Sequence, residues 1–185
     1  VIYMYFNNSG ISTTQENATG VWDSNYKAVW HMDAATGSNQ PDSTTNALTA
    51  TQHNSPLQGV GEIDGGFSFD GLADYFSVAH GAVTDITGDK TIEVWINAES
   101  FSIDANGSDP RVLINNIDGT NVYQFALDSG GGGMIGFAVN DSTGQHIIAS
   151  QAWNIVTWYH LVGTYVASTH AVTLYINGSV AANNG

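Results

Sequence analysis

Cysteine is absent from the 185 residues, which excludes disulfide support, thiol chemistry and any Cys-based zinc site. Cations are scarce: Lys27, Lys90 and Arg111 face 17 acidic residues, for a formal charge of −14. Such a polyanion repels nucleic acid, which is therefore not expected as a partner. No apolar run approaches the ~20 residues of a membrane span, so no membrane insertion is expected. No stretch sustains an apolar i, i+3, i+4 pattern over about ten residues, which leaves little room for helix. The chain starts at Val1 with neither an initiator Met nor a signal peptide, and it reads as a piece of a longer, exported protein.

What is present is an apolar share of 42%, enough for one real core, arranged in short alternating or β-branched runs. These predict strands over residues 1–7, 28–33, 48–52, 66–70, 74–79, 91–97, 111–117, 122–128, 134–139, 146–150, 158–166 and 171–177. Gly, Asn, Asp and Ser fill the connections. One short helix is predicted within residues 12–26, capped by Ser12 or Thr13 and ended by Gly20. The glycine run at 130–133 is a hairpin tip, because neither a helix nor Lys-Ser/Thr follows it. Regular short strands with polar turns indicate an all-β antiparallel sandwich.

Several segments in order carry a resemblance. They are Val29-Trp30-His31-Met32-Asp33, the turn Asp42-Ser43-Thr44-Thr45-Asn46-Ala47, and Gly65-Gly66-Phe67-Ser68-Phe69-Asp70-Gly71-Leu72-Ala73-Asp74-Tyr75. Thr91-Ile92-Glu93-Val94-Trp95-Ile96, Trp158-Tyr159-His160-Leu161-Val162-Gly163-Thr164-Tyr165 and Leu174-Tyr175-Ile176-Asn177-Gly178 follow. Together they resemble the concanavalin A-like, laminin-G-type (pentraxin-like) jelly-roll domains of microbial surface and secreted proteins. The resemblance implies a sandwich over residues 27–185, incomplete at its C-terminus, with residues 1–26 as the tail of a preceding domain. It also implies an extracellular or cell-surface module that binds Ca2+, glycans or a surface protein, or else serves as a structural spacer.

Thirteen Asp against four Glu, clustered in Gly/Asn-rich turns, suit a hard cation that wants six to eight oxygens; Asp also suits turns as such. Asp70 and Asp74, in one tight turn, are the leading calcium ligands. The resemblance adds Asp42 and Asn46, and less strongly Asp33. A sugar needs an aromatic platform flanked by polar partners, and Trp95, Tyr123, Trp153 and Tyr159 are the candidates, each able to fill the core instead. Five Asn-x-Ser/Thr sequons begin at Asn7, Asn17, Asn106, Asn140 and Asn177, all candidates for glycosylation in an exported protein.

Catalysis is not expected. The segment Glu62-Ile63-Asp64-Gly65-Gly66-Phe67 resembles the Glu-x-Asp-x-x-Glu strand of laminarinase-type glucanases, but Phe67 stands where the second carboxylate is needed for the acid/base and nucleophile pair. Six histidines show neither His-x-His nor His-Glu-x-x-His spacing, so zinc has no evident site. Val1-Ile2-Tyr3-Met4-Tyr5-Phe6 is an uncharged β-prone hexamer that must pair or be covered. With the closing strand that the resemblance expects beyond Gly185, it raises a homo-oligomer or filament built by strand complementation as the alternative function.

Overall fold

The computed structural model describes residues 9–13, 17–99, 111–116, 123–128, 134–150 and 154–185. The expected strand at 1–7, the filament segment 1–6 and the glycine tip at 130–133 lie outside them. A four-residue helix α1 (Ala18–Val21) comes first. It is shorter than the predicted helix and is capped by Asn17, whose Oδ1 accepts the Gly20 N–H at 3.0 Å. Two small antiparallel ribbons follow: β1 (Thr51–His53) with β4 (Tyr75–Ser77), and β2 (Leu57–Val60) with β3 (Gly65–Ser68).

The body is a pair of four-stranded antiparallel sheets. One contains β5 (Lys90–Asn97), β10 (Trp158–Val166), β11 (Ala171–Ile176) and β12 (Ser179–Asn183), in the order β12-β11-β10-β5. The other contains β6 (Arg111–Asn116), β7 (Tyr123–Asp128), β8 (Met134–Asp141) and β9 (Gly144–Ser150), in sequence order. Hairpins join β8 to β9, β10 to β11 and β11 to β12, and β7 pairs antiparallel with β6 and β8. The last turns on Asn177-Gly178, with φ of 51° and 77°, the pair that a primed two-residue hairpin demands.

Side chains alternate across each strand, so every second residue of β10 turns inward: Tyr159, Leu161, Gly163 and Tyr165 are buried. Val172 and Leu174 of β11 join them. From the other sheet come Phe125, Ile135, Phe137, Val139 and Ile148. Each full burial of such an apolar side chain contributes about 1.5–3 kcal/mol. Register keeps the pattern consistent across the ladder, with Leu161 opposite both Val94 and Ile176.

One predicted strand is absent and two unpredicted ones are present. Residues 28–33 form no strand: the Val29 N–H goes to the Asp42 side chain, its carbonyl accepts from Ser43 N, and Trp30 Nε1 donates to Leu48 O. Their polar groups are met by a turn rather than by a ladder, which satisfies them equally well. Strands β2 and β12 were not expected, because Leu57-Gln58-Gly59-Val60 and Ser179-Val180-Ala181-Ala182-Asn183 lack a full alternating pattern and gain their pairing from neighbours.

At Gly163 one sheet meets a core ring of the other at close range. A Cβ built there would stand 2.6 Å from the Phe137 ring, so the ring lies on bare backbone. Gly163→Ala forces two packed sheets apart and is expected to cost about 1–3 kcal/mol by overpacking. Gly88→Ala, where nothing lies within 4 Å, serves as the control, and urea midpoints of the two variants test the difference.

Candidate functional site

Of the expected calcium ligands, Asp70 and Asp74 share one turn, and Asp42 with Asn46 occupies another. Asp70 Oδ1 accepts three amides of its own turn, Leu72, Ala73 and Asp74, at 2.8–3.2 Å. These hold its carboxyl below the usual carboxylate range. Asp74 Oδ2 accepts the Asp70 N–H at 3.1 Å. One oxygen on each carboxylate stays outside these bonds, two protein ligands toward the six to eight that calcium takes.

Asp42 is engaged on both oxygens. Oδ1 accepts from Val29 N and Thr44 N, and Oδ2 from Thr44 Oγ1 and Leu48 N, at 2.7–2.9 Å. Burial pushes its pKa up, but the three amides and the hydroxyl outweigh it and leave it lowered. Asn46 spends its Nδ2 on the Lys27 carbonyl at 2.9 Å. With Lys27 it lines a groove of about 410 Å³ against residues 82–83 and 85–88. Asp33 is exposed, its backbone against Gly65. Glu62 and Asp64 lie exposed in the β2–β3 turn, which Gly61 N closes on Asp64 O at 3.0 Å.

Of the predicted aromatic platform, Trp95 stands on the outer face of the sheet, 39% exposed. It pairs in register with His160 and stacks on its ring, with centroids 4.9 Å apart at 23°. Glu93, two residues along on the same face, reaches His160 Nε2 at 3.6 Å. Cross-strand partners share a face, so Val162 and its partner Tyr175 extend this surface. Tyr159 is corrected to a core residue: it is 8% exposed, and its OH accepts from Asn154 N. Alternation sends it inward with Leu161. Tyr123 also turns toward the interior, where its OH donates to Thr84 O at 3.3 Å and burial raises its pKa. Trp153 lies outside the described residues.

Among the sequons, Asn7 and Asn106 lie outside the described residues. Asn17 caps α1. Asn140 is partly buried, and Asn177 Oδ1 accepts the His160 N–H at 2.9 Å.

The side chains that converge most closely were not singled out in the sequence. Among the described residues, Asp141, His146 and His170 form the one group of three potential metal-ligating side chains whose ligand atoms all lie within 4.8 Å of one another. Asp141 ends β8, His146 faces inward from β9, and His170 closes the β10–β11 turn with φ 56°. Asp141 Oδ2 lies 2.7 Å from His170 Nδ1 and 3.2 Å from His146 Nε2, and it accepts a hydrogen bond from Tyr165 OH. Asp141 Oδ1 accepts from Thr143 Oγ1 at 2.6 Å and Thr143 N at 2.7 Å. The Thr143 hydroxyl first, with these other donors, holds the Asp141 carboxyl far below the usual range. Burial and the Asp141 charge push Tyr165 up to about 12. Lys90, buried beneath, places its ammonium 5.0 Å from the Tyr165 ring centroid, a cation–π contact. Histidine spacing gave no sign of this group, because its members come from different hairpins.

Asp42→Ala strands three amide donors and is expected to cost about 2–3 kcal/mol. Because the native pKa of Asp42 is lowered, its stabilisation is complete above the ordinary value of 3.8 and is lost as pH falls through the native value. The stability gap between the wild type and Asp42→Asn therefore narrows from about pH 6 to about pH 2.5 in urea titrations. Comparison with the variant cancels the general effect of neutralising the other acids.

Comparisons with known proteins agree with this architecture. A search of curated proteins finds no match. A solved structure of an S-layer domain-containing protein from Clostridium thermocellum ATCC 27405, residues 221–444, superposes with a TM-score of 0.52. It is 22% identical, over 85% of this chain and 71% of that one, and the likeness is one of fold. The family model of the concanavalin A-like lectin/glucanases superfamily matches residues 69–185, a span that contains both four-stranded sheets, and the chain accordingly belongs to that superfamily.

Proposed function

We propose that the chain is a non-catalytic binding module displayed outside the cell, whose outer sheet face takes a carbohydrate. The observation that carries this reading is Trp95, an exposed indole on a rigid strand, stacked on His160 with Glu93 beside it. An aromatic plane offers the apolar face of a pyranose a surface to cover, and the adjoining carboxylate and imidazole take its hydroxyls. Membership in a lectin/glucanase superfamily supports a sugar ligand. The likeness to a domain of an S-layer domain-containing protein supports the extracellular setting.

Screening against immobilised polysaccharides, followed by titration calorimetry, tests this. Trp95→Ala is expected to weaken the selected glycan by about 2 kcal/mol, some thirtyfold. Its β-type circular dichroism should stay unchanged, since the side chain stands outside the core. Equal binding by Trp95→Ala, or no glycan bound at all, removes the reading.

Calcium enters as a separate proposal. The oxygens of Asp70 and Asp74 that accept no amide would hold it, with water and carbonyl oxygens completing the shell, and the cation would relieve part of the −14 charge. A ligand bound to the native state alone at a hundredfold excess over Kd adds about 2.7 kcal/mol. Melting in calcium is expected to exceed melting in chelator, and Asp70→Ala with Asp74→Ala to abolish the difference. Superimposed wild-type curves would rule the ion out.

A further inference from the structure

We propose that Asp141, His146 and His170 form a binding site for a borderline transition-metal dication, Zn2+ foremost, which clamps the two sheets together at one end of the sandwich. The ligand atoms would be Asp141 Oδ2, His146 Nε2 and His170 Nδ1, which all lie within 4.8 Å of one another. Zinc binds imidazole nitrogen and carboxylate oxygen at about 2.0–2.2 Å, so two ligands of one tetrahedral centre stand about 3.3 Å apart. The 3.2 Å between His146 Nε2 and Asp141 Oδ2 matches that spacing, and the 2.7 Å hydrogen bond from His170 Nδ1 to the same oxygen would open by about 0.6 Å to admit the ion. Three protein ligands leave one position for water, the arrangement of an open zinc site.

The candidate ligands are already held on one another. Asp141 Oδ1 takes Thr143 N and Thr143 Oγ1, and Oδ2 takes Tyr165 OH and His170 Nδ1. His146 Nε2 stands 3.2 Å from Oδ2 and 3.1 Å from Thr143 Oγ1, and His170 Nδ1 also lies 3.2 Å from Tyr165 OH. If both imidazoles present lone pairs instead of protons, one dication satisfies both rings and the oxygen together. The rings stand nearly parallel, 5.0 Å apart at 14°. The two nitrogens favour Zn2+, Ni2+ or Cu2+ over Ca2+ or Mg2+, which take oxygen. His170 is held at a left-handed φ of 56°, a conformation that costs a non-glycine residue energy and that the fold keeps at this turn. The Lys90 ammonium, against the Tyr165 ring, is the cationic group that a dication must tolerate.

The clamp has a structural consequence. Asp141 and His146 belong to the β8–β9 hairpin of one sheet, and His170 to the β10–β11 turn of the other. A shared ion would tie the two sheets where the apolar core gives way to polar groups.

The chain, stripped with EDTA, is titrated with Zn2+ by calorimetry and melted with Zn2+, Ca2+ or Mg2+. One Zn2+ per chain is expected, with a Tm rise of about 5–10 °C at a hundredfold excess over Kd. His146→Gln and His170→Gln keep an amide beside Asp141 and are each expected to weaken Zn2+ by more than about tenfold, at least what losing an outer partner costs a metal site. Asp70→Ala should leave Zn2+ binding unchanged, which separates this site from the calcium proposal. If the Gln variants fail to fold, Co2+ bound to the wild-type chain decides: intense visible bands of tetrahedral cobalt support the site, and their absence overturns it. The proposal also falls if Zn2+ raises Tm no more than Mg2+ does, or if binding survives undiminished in the double Gln variant.

Discussion

Two sheets approach until the Phe137 ring rests on the bare backbone of Gly163, and that contact sets the spacing on which the remaining structure depends. Side chains alternate along a strand, so fixing which residues face inward also fixes which face out. Val94 and Ile96 pack against the core, and Trp95 between them is turned to solvent. The same rule draws Tyr159 inward beside Leu161. The aromatic surface on the outer face is thus a by-product of the register that closes the core.

An apolar interior of finite length has ends, and here one end is polar. Tyr165 is the last inward residue of its strand to be buried, and its hydroxyl needs a partner in a place that water reaches poorly. Asp141 supplies it, and with Thr143, His146, His170 and Lys90 builds a charged group between the two sheets. The low pKa of Asp141 and the high one of Tyr165 express one fact: the carboxylate is stabilised as an anion, and the phenol beside it is kept from becoming a second.

The acid-rich composition acquires a local meaning in the same way. Asp42 and Asp70 each gather several amide donors from segments that have no ladder of their own. Carboxylates therefore do in the turns what cross-strand carbonyls do in the sheets. This is why residues 28–33, apolar and aromatic enough to suggest a strand, form none: Asp42 takes the Val29 amide that a neighbouring strand would have claimed.

Local pattern alone determined the all-β class and most of the strands of both large sheets, because alternation and turn chemistry act over a few neighbouring residues. It also placed Asp70 and Asp74 in one turn. Whether Tyr159 or Trp95 would be the exposed aromatic depended on which face of each strand met the second sheet, a long-range matter. The meeting of Asp141 and His146 with His170 was decided only by the tertiary structure. Those residues sit near the ends of two hairpins far apart in sequence, and only the packing of one sheet on the other brings them within reach of one another.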